Sequence, residues 1–207
     1  MVVAVLADEL AKQELQLKGI PSQTEFIWAD SVRSLTIIEA DVYFDLLFEY
    51  DHERIAQLKK LLPKPVFVNS VIHTGKELTQ PFIRINAWPT FINRNITELA
   101  LTVPQQEQTV KNIFNELGWQ YQLVPDTAGL VTPRIIAMII NEAWYTLGDE
   151  ISTKQEIDTA MKLGTNYPYG PFEWGEKIGI ERIKELLKSL AKVDSRYTVA
   201  PALLNQK

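Results

Sequence analysis

Two histidines, one strand-end amide and a few carboxylates are the side chains through which this sequence could do chemistry. His73 lies in Asn69-Ser70-Val71-Ile72-His73-Thr74, just beyond a run that reads as a parallel-type strand. Open α/β sheets gather their sites outside the carboxyl ends of such strands. An imidazole there could take a proton near neutral pH, or it could be a loop residue and nothing more. His52, in Glu49-Tyr50-Asp51-His52-Glu53-Arg54, reads as a helix-surface residue. Asn86 ends the polar side of one strand and Glu98 opens the next, so converging strand ends would give the two a shared polar pocket. Asn86 could position or donate in that pocket; an amide cannot act as a general base near neutral pH.

Composition removes several chemistries. The 207 residues contain no cysteine, which excludes disulfides, thiolate-held metals, iron–sulfur clusters and cysteine nucleophiles. Two histidines exclude a polyhistidine metal site, and no metal site is expected. Lys and Arg number 21 against 26 Asp and Glu, a net charge of −5 that argues against a nucleic-acid backbone binder. No apolar stretch approaches the ~20 residues that span a bilayer. The opening MVVAVLADELAKQEL lacks a basic start and a cleavage site, so it reads as a strand and helix rather than a signal peptide. A cytoplasmic protein, with no membrane and no nucleic acid among its partners, is the expectation.

The elements that would position these residues alternate along the first half. Strands are expected at Val2–Ala7, Phe26–Ala29, Asp41–Phe48, Val66–Val68, Phe82–Trp88, Glu98–Val103 and Trp119–Val124. Helices are expected at Glu9–Lys18, Ser31–Glu39, His52–Leu62 and Gln105–Leu117. This order predicts an α/β sheet with right-handed crossovers. From about Gly129 the period is helical only. Arg134–Leu147 carries an apolar face that includes Ile135, Ile136, Ile139, Ile140, Ala143 and Trp144. Ser152 with Gln155 is a capping box for a helix ended by Gly164, Tyr167–Phe172 is a turn-rich connection, and Ile180–Leu190 is a third helix. The expected division is an α/β domain over 1–125 and a small helical domain over 126–200. The first strand turns into its helix through Ala7-Asp8-Glu9-Leu10-Ala11, with no glycine where a dinucleotide-binding turn needs three. The acidic pair there suits a helix N-terminus.

The second half resembles the 3-hydroxyacyl-CoA dehydrogenase family. Asp126 to Arg134 is similar to the junction D-x-P-G-F-x-x-N-R, and Asn141-Glu142-Ala143 to the N/M-E-A motif on the helix that follows. Glu156-Ile157-Asp158, Ala160-Met161, Gly164 and Tyr167 to Glu173 are similar to D-I-D-x-A-M…G…P-x-G-P-F. Further back, Ala40-Asp41 to Phe48-Glu49 resembles A-D-L-V-I-E-A-x-x-E, Asn69-Ser70 resembles S-N-T-S, and Phe82-Ile83 resembles the start of F-I-G-x-H-F-F-N-P. The resemblance implies a shortened Rossmann-like, mostly parallel sheet domain followed by the family's helical domain, because only some 40 residues precede Ala40 where the family has roughly twice as many.

It also implies roles. The family's catalytic His falls on Asn86, its Glu on Glu98, its Ser on Val71 beside Ser70, and the junction Asn on Pro133. Asn86, Glu98, Ser70 and His73 are therefore the catalytic candidates, and Asp45, Glu49 and Asn69 the cofactor-binding ones. NAD is the family's cofactor, but the lost glycines and the lost base imply weak NAD binding or none. The expectation is a degenerate dehydrogenase-like protein that binds an acyl-CoA-like small molecule and forms a homodimer through the helical domain. An oxidoreductase with rearranged residues and a non-catalytic interaction subunit are the alternatives. Any ligand is expected in a cleft formed by the strand ends carrying Asn69, Asn86 and Glu98 beside the helical domain.

Overall fold

The computed structural model describes residues 1–206, which divide into two compact units, one ending at Leu130 and one beginning at Val131. The first unit holds one sheet of seven strands: β1 (Val2–Leu6), β2 (Glu25–Ala29), β3 (Val42–Asp45), β4 (Val66–Val68), β5 (Ile83–Ile85), β6 (Ile96–Ala100) and β7 (Gln120–Leu123). Their order across the sheet is β2-β1-β3-β4-β5-β6-β7. All neighbours are parallel except β5 and β6, which pair antiparallel with Ile85 opposite Leu99. The mostly parallel, Rossmann-like sheet expected from the alternating pattern is the fold observed.

Both faces of the sheet are covered, so the central strands carry apolar residues on each side. On one face Val3, Val5, Phe44, Phe67, Ile83, Ile85 and Leu99 pack with α1 (Glu9–Lys18) through Ala11 and Leu15. The same cluster takes Val110, Ile113, Phe114 and Leu117 from the helix Glu107–Leu117, which is α5 in chain order. On the other face Ala4, Leu6, Tyr43, Val66 and Val68 meet α2 (Val32–Ile37), α3 (His52–Leu58) and α4 (Gly75–Leu78) through Leu35, Ile55, Leu58 and Leu78. Short polar side chains start three of these helices by accepting backbone N–H groups: Asp8 from Ala11 at 2.8 Å, Ser31 from Ser34 at 3.1 Å, and Asp51 from Arg54 at 2.7 Å. The acidic turn after β1 is thus a helix cap.

The second unit is helical throughout: α6 (Thr132–Gly148), α7 (Lys154–Thr165), α8 (Pro171–Ile178), α9 (Ile180–Ala191) and α10 (Pro201–Leu204). Ile136, Ile140 and Trp144 of α6 are buried, as are Phe172, Trp174 and Ile178 of α8 and Ile183, Leu186, Leu187 and Leu190 of α9. No helix among the described residues is long and apolar enough to cross a membrane.

Several local expectations need correction. The run from Asp41 to Phe48 is a strand only from Val42 to Asp45, because the chain turns at Leu46-Leu47 once it clears the sheet edge. The strand expected from Glu98 begins at Ile96 and ends at Ala100, and α4 has no counterpart among the expected helices. The capping box of α7 lies one residue later than expected, with Thr153 accepting from Glu156 N–H and the Glu156 carboxylate accepting from Thr153 N–H; Gly164 lies inside the helix. The turn Tyr167–Phe172 runs straight into α8, which has Pro171 at its first position, where a missing N–H costs nothing.

Two side chains tie this unit together. Asn141 donates to the Thr198 carbonyl at 2.8 Å and accepts from Ala200 N–H at 2.8 Å, clamping the segment before α10 against α6. Asp158 on α7 accepts from Phe172 and Glu173 N–H at 2.8 and 3.1 Å, capping a helix that starts well beyond its own. Gly170 must be small, since a Cβ there would come within 2.3 Å of Asp158.

Candidate functional site

The carboxyl ends of the parallel strands in the first unit bring together most of the candidates. Asp45 ends β3, Asn69 follows β4 and Asn86 follows β5. Asn86 N–H donates to the Glu98 carbonyl at 3.0 Å, extending the antiparallel ladder, so Asn86 and Glu98 lie directly opposite each other. Asn86 is buried and Glu98 half-buried. Strand pairing thus creates the juxtaposition on which a shared pocket depended.

The surrounding polar groups are largely committed to one another. Asn69 donates to the Leu46 and Ala87 carbonyls at 3.0 and 3.1 Å and accepts from Ala87 N–H at 3.0 Å, so its amide staples the exits of three strands. Ser70 donates its hydroxyl to the His73 carbonyl at 2.8 Å. Asp45 is fully buried and receives Arg54 as a fork, Nε and Nη2 at 2.8 and 2.7 Å. Burial pushes the Asp45 carboxyl up, and the Arg54 guanidinium works against that rise. Glu49 is exposed in the loop beyond β3 and shares a surface hollow with Asp51, Glu53 and Arg54.

His73 belongs to a separate cluster at the start of α4. Its ring stacks on Tyr50 with centroids 4.1 Å apart, and Nδ1 lies 3.7 Å from Glu77 Oε1. Partial burial acts to raise the Glu77 carboxyl, but bonds from Thr74 N–H and hydroxyl outweigh it and hold Glu77 below the usual range. His52 is the first residue of α3 and is exposed, as expected of a helix-surface position.

Sequence reasoning missed Arg84, the central residue of this edge. It lies in β5 and is fully buried. Nε donates to the Ser70 carbonyl at 2.8 Å, Nη2 to the Val71 carbonyl at 3.0 Å, both Nη atoms to the Thr127 carbonyl at 3.2 Å, and Nη1 to the Asp126 carboxylate. Burial pushes the guanidinium below its ordinary pKa, and the Asp126 carboxylate works to raise it. Asp126 also accepts from Gly75 N–H at 3.0 Å, and Gly129 N–H donates to the Val71 carbonyl at 2.8 Å. The loop after β4 and the segment 126–129 are therefore fastened together by one arginine. The signal was present in Phe82-Ile83-Arg84-Ile85-Asn86, where a lone cation interrupts an apolar strand at the glycine position of F-I-G-x-H.

The sequence comparisons agree with the motif reading. Residues 129–207 match the family model of the 3-hydroxyacyl-CoA dehydrogenase C-terminal domain. The chain is 41% identical over 97 residues to 3-hydroxyadipyl-CoA dehydrogenase of Escherichia coli K12, covering 46% of this chain and 20% of that protein. It is 39% identical over 82 residues to 3-hydroxybutyryl-CoA dehydrogenase of Clostridioides difficile, covering 39% and 29%. The chain thus spans less than a third of the length of these two relatives. Among solved structures, (S)-3-hydroxybutyryl-CoA dehydrogenase of Ralstonia eutropha superposes with a TM-score of 0.72 over 98% of this chain and 92% of that one, at 19% identity, which speaks for the fold alone. Residues 129–207 thus match the 3-hydroxyacyl-CoA dehydrogenase C-terminal domain, and the chain as a whole is similar in fold to dehydrogenases of that kind.

By the motif resemblance alone, Asn86 falls at the position of the family's base and Glu98 at that of the carboxylate that orients it. The amide can hold a hydroxyl or carbonyl oxygen by hydrogen bonding but cannot carry away a proton. Pro133, at the junction position where the family has Asn, is buried in the first turn of α6, where a proline suits a helix start.

Proposed function

We propose that this chain is a 3-hydroxyacyl-CoA dehydrogenase-like protein without ordinary NAD-dependent turnover, which binds an acyl-CoA-like small molecule. The observation that carries the reading is the internal commitment of the strand-end groups. Asn69, Ser70 and Arg84 spend their donors on backbone carbonyls of their own unit, leaving them little to offer a nicotinamide or a reacting alcohol. Asn86 in place of a base and the glycine-free turn capped by Asp8 support the same conclusion. The relatives named for 3-hydroxyadipyl-CoA and 3-hydroxybutyryl-CoA suggest CoA thioesters of 3-hydroxy acids as the ligand class.

The test restores the imidazole. The Asn86→His protein is expected to show no NAD reduction with 3-hydroxybutyryl-CoA above the unsubstituted blank. A positioned base contributes about 10²–10⁴-fold only when a hydride acceptor already stands beside the substrate. Turnover by that variant, or saturable NADH fluorescence with the unsubstituted protein at micromolar concentration, defeats the proposal. The stacked, carboxylate-flanked His73 favours a second reading, an active oxidoreductase with His73 as base. NAD-dependent activity that His73→Gln abolishes would establish it.

Pairing of two helical units is part of the same reading. Its support is the apolar surface left exposed there at Ile135, Ile151 and Leu163. Sedimentation velocity at tens of micromolar is expected to show a dimer, and a monomer at that concentration removes this part of the reading.

A further inference from the structure

Beside Asn86, under α1, lies a lysine that the dehydrogenase-like reading does not use. A cavity of about 10 Å³ is lined by Lys18, Leu15, Asn86, Ala87, Thr97 and Trp119, among others. That is room for about one water-sized or methyl-sized group. Thr97 is 4% exposed, and its hydroxyl has no hydrogen-bond partner, an omission that ordinarily costs about 1–3 kcal/mol. Lys18 is the last residue of α1 and half-buried. Its Nζ lies 5.5 Å from the centre of the Trp119 ring and donates to the Arg94 carbonyl.

We propose that Lys18 is an acyl-acceptor site, whose amine takes a two-carbon acyl group from an activated donor, a thioester or an acyl phosphate, and seats the methyl in the adjoining cavity. The amine lone pair attacks the acyl carbonyl carbon and a C–N bond forms. The C–S or C–O bond breaks, and its electron pair leaves with the thiolate or the phosphate. The ammonium proton passes to that leaving group or to solvent, and nothing is oxidised or reduced. The new amide carbonyl gives the unpartnered Thr97 hydroxyl an acceptor, and the apolar lining takes the methyl.

Electrostatics make the amine available. Burial without a compensating anion lowers the Lys18 ammonium to about 8. The nearest charged groups along the chain are occupied elsewhere. Glu14, one turn earlier on α1, accepts from Thr90 and Ile92 N–H at 2.7 and 3.1 Å, and the Arg94 guanidinium lies over the Phe91 ring. At pH 7.5 about a quarter of Lys18 is then the free amine, against about 0.1% for an ordinary lysine. Lower basicity also lowers intrinsic nucleophilicity, by up to about twentyfold over such a shift, which leaves Lys18 about tenfold ahead.

The experiment incubates the full chain with acetyl phosphate or with acetyl-CoA and follows each lysine by peptide mass spectrometry. At pH 7.5 the initial rate at Lys18 is expected to exceed that at exposed Lys60 and Lys192 about tenfold. The lead should vanish by pH 10, since Lys18 gains no more free amine above its own pKa while the others still do. The donor that reacts faster identifies the source. Hexanoyl-CoA should lose to acetyl-CoA about tenfold at Lys18 and show no such bias at Lys60, because a longer chain overfills the cavity. A Lys18 rate no greater than that of Lys60 with both donors, a lead that persists at pH 10, or equal chain-length bias at both lysines overturns the proposal.

Discussion

The Arg84→Met protein is expected to lose about 3–5 kcal/mol of unfolding free energy, the usual cost of removing one partner from a buried ion pair. The substitution keeps most of the side-chain volume, so a cavity is not the cause. It takes a donor from the carbonyls of Ser70, Val71 and Thr127, and it leaves the Asp126 carboxylate facing Gly75 N–H without its guanidinium. Urea unfolding followed by circular dichroism measures the loss. The double variant Arg84→Met, Asp126→Leu should recover part of it, because it no longer strands a charge. A single-variant loss below about 1 kcal/mol would show that water replaces the guanidinium and that the fastening of 126–129 to the loop after β4 is loose.

The second large effect concerns the segment through which the family resemblance is strongest. Asp158→Ala should cost about 1–3 kcal/mol, since it removes a carboxylate cap from two backbone N–H groups of α8. Gly170→Ala should cost a similar amount by another route, because its methyl would occupy the space of the Asp158 side chain and expel that same cap. The combined variant is then expected to be scarcely worse than either single one, a coupling that approaches the whole effect. Additive losses would mean that glycine and aspartate serve separate purposes.

These two networks show what several of the shared motif positions do for the fold. Asn141, Asp158, Gly170 and Pro171 are matched motif positions, and all four act structurally, as a clamp, a cap, a close approach and a helix start. They preserve the helical unit whether or not a reaction occurs elsewhere. Asn86 and Arg84 lie in the thinner stretch of the resemblance, and there the side chains differ from the family pattern.

The sequence alone was enough to read the alternation of strands and helices, because both faces of a covered parallel sheet demand apolar runs and because Gly118, Pro63 and Pro65 punctuate the elements between them. It also carried the order of the two units and the asparagine at position 86, since residue identity is a local fact. Boundaries drifted where the signal was weak, as at Glu98 against Ile96, and α8 was hidden inside a turn-rich stretch because its cap comes from Asp158 on another helix. Only the tertiary structure decided what Asn69 and Arg84 do. Apart from the Asp126 carboxylate, their partners are backbone groups, some of them 18 to 43 residues away, and any residue type supplies a backbone carbonyl. The same holds for Lys18, whose lowered pKa comes from burial created by Trp119 and the sheet beneath it rather than from any neighbour in the chain. Hydrogen bonds to the main chain and desolvation leave no periodic mark in a sequence, so these features came into view only once the strand ends had been brought together.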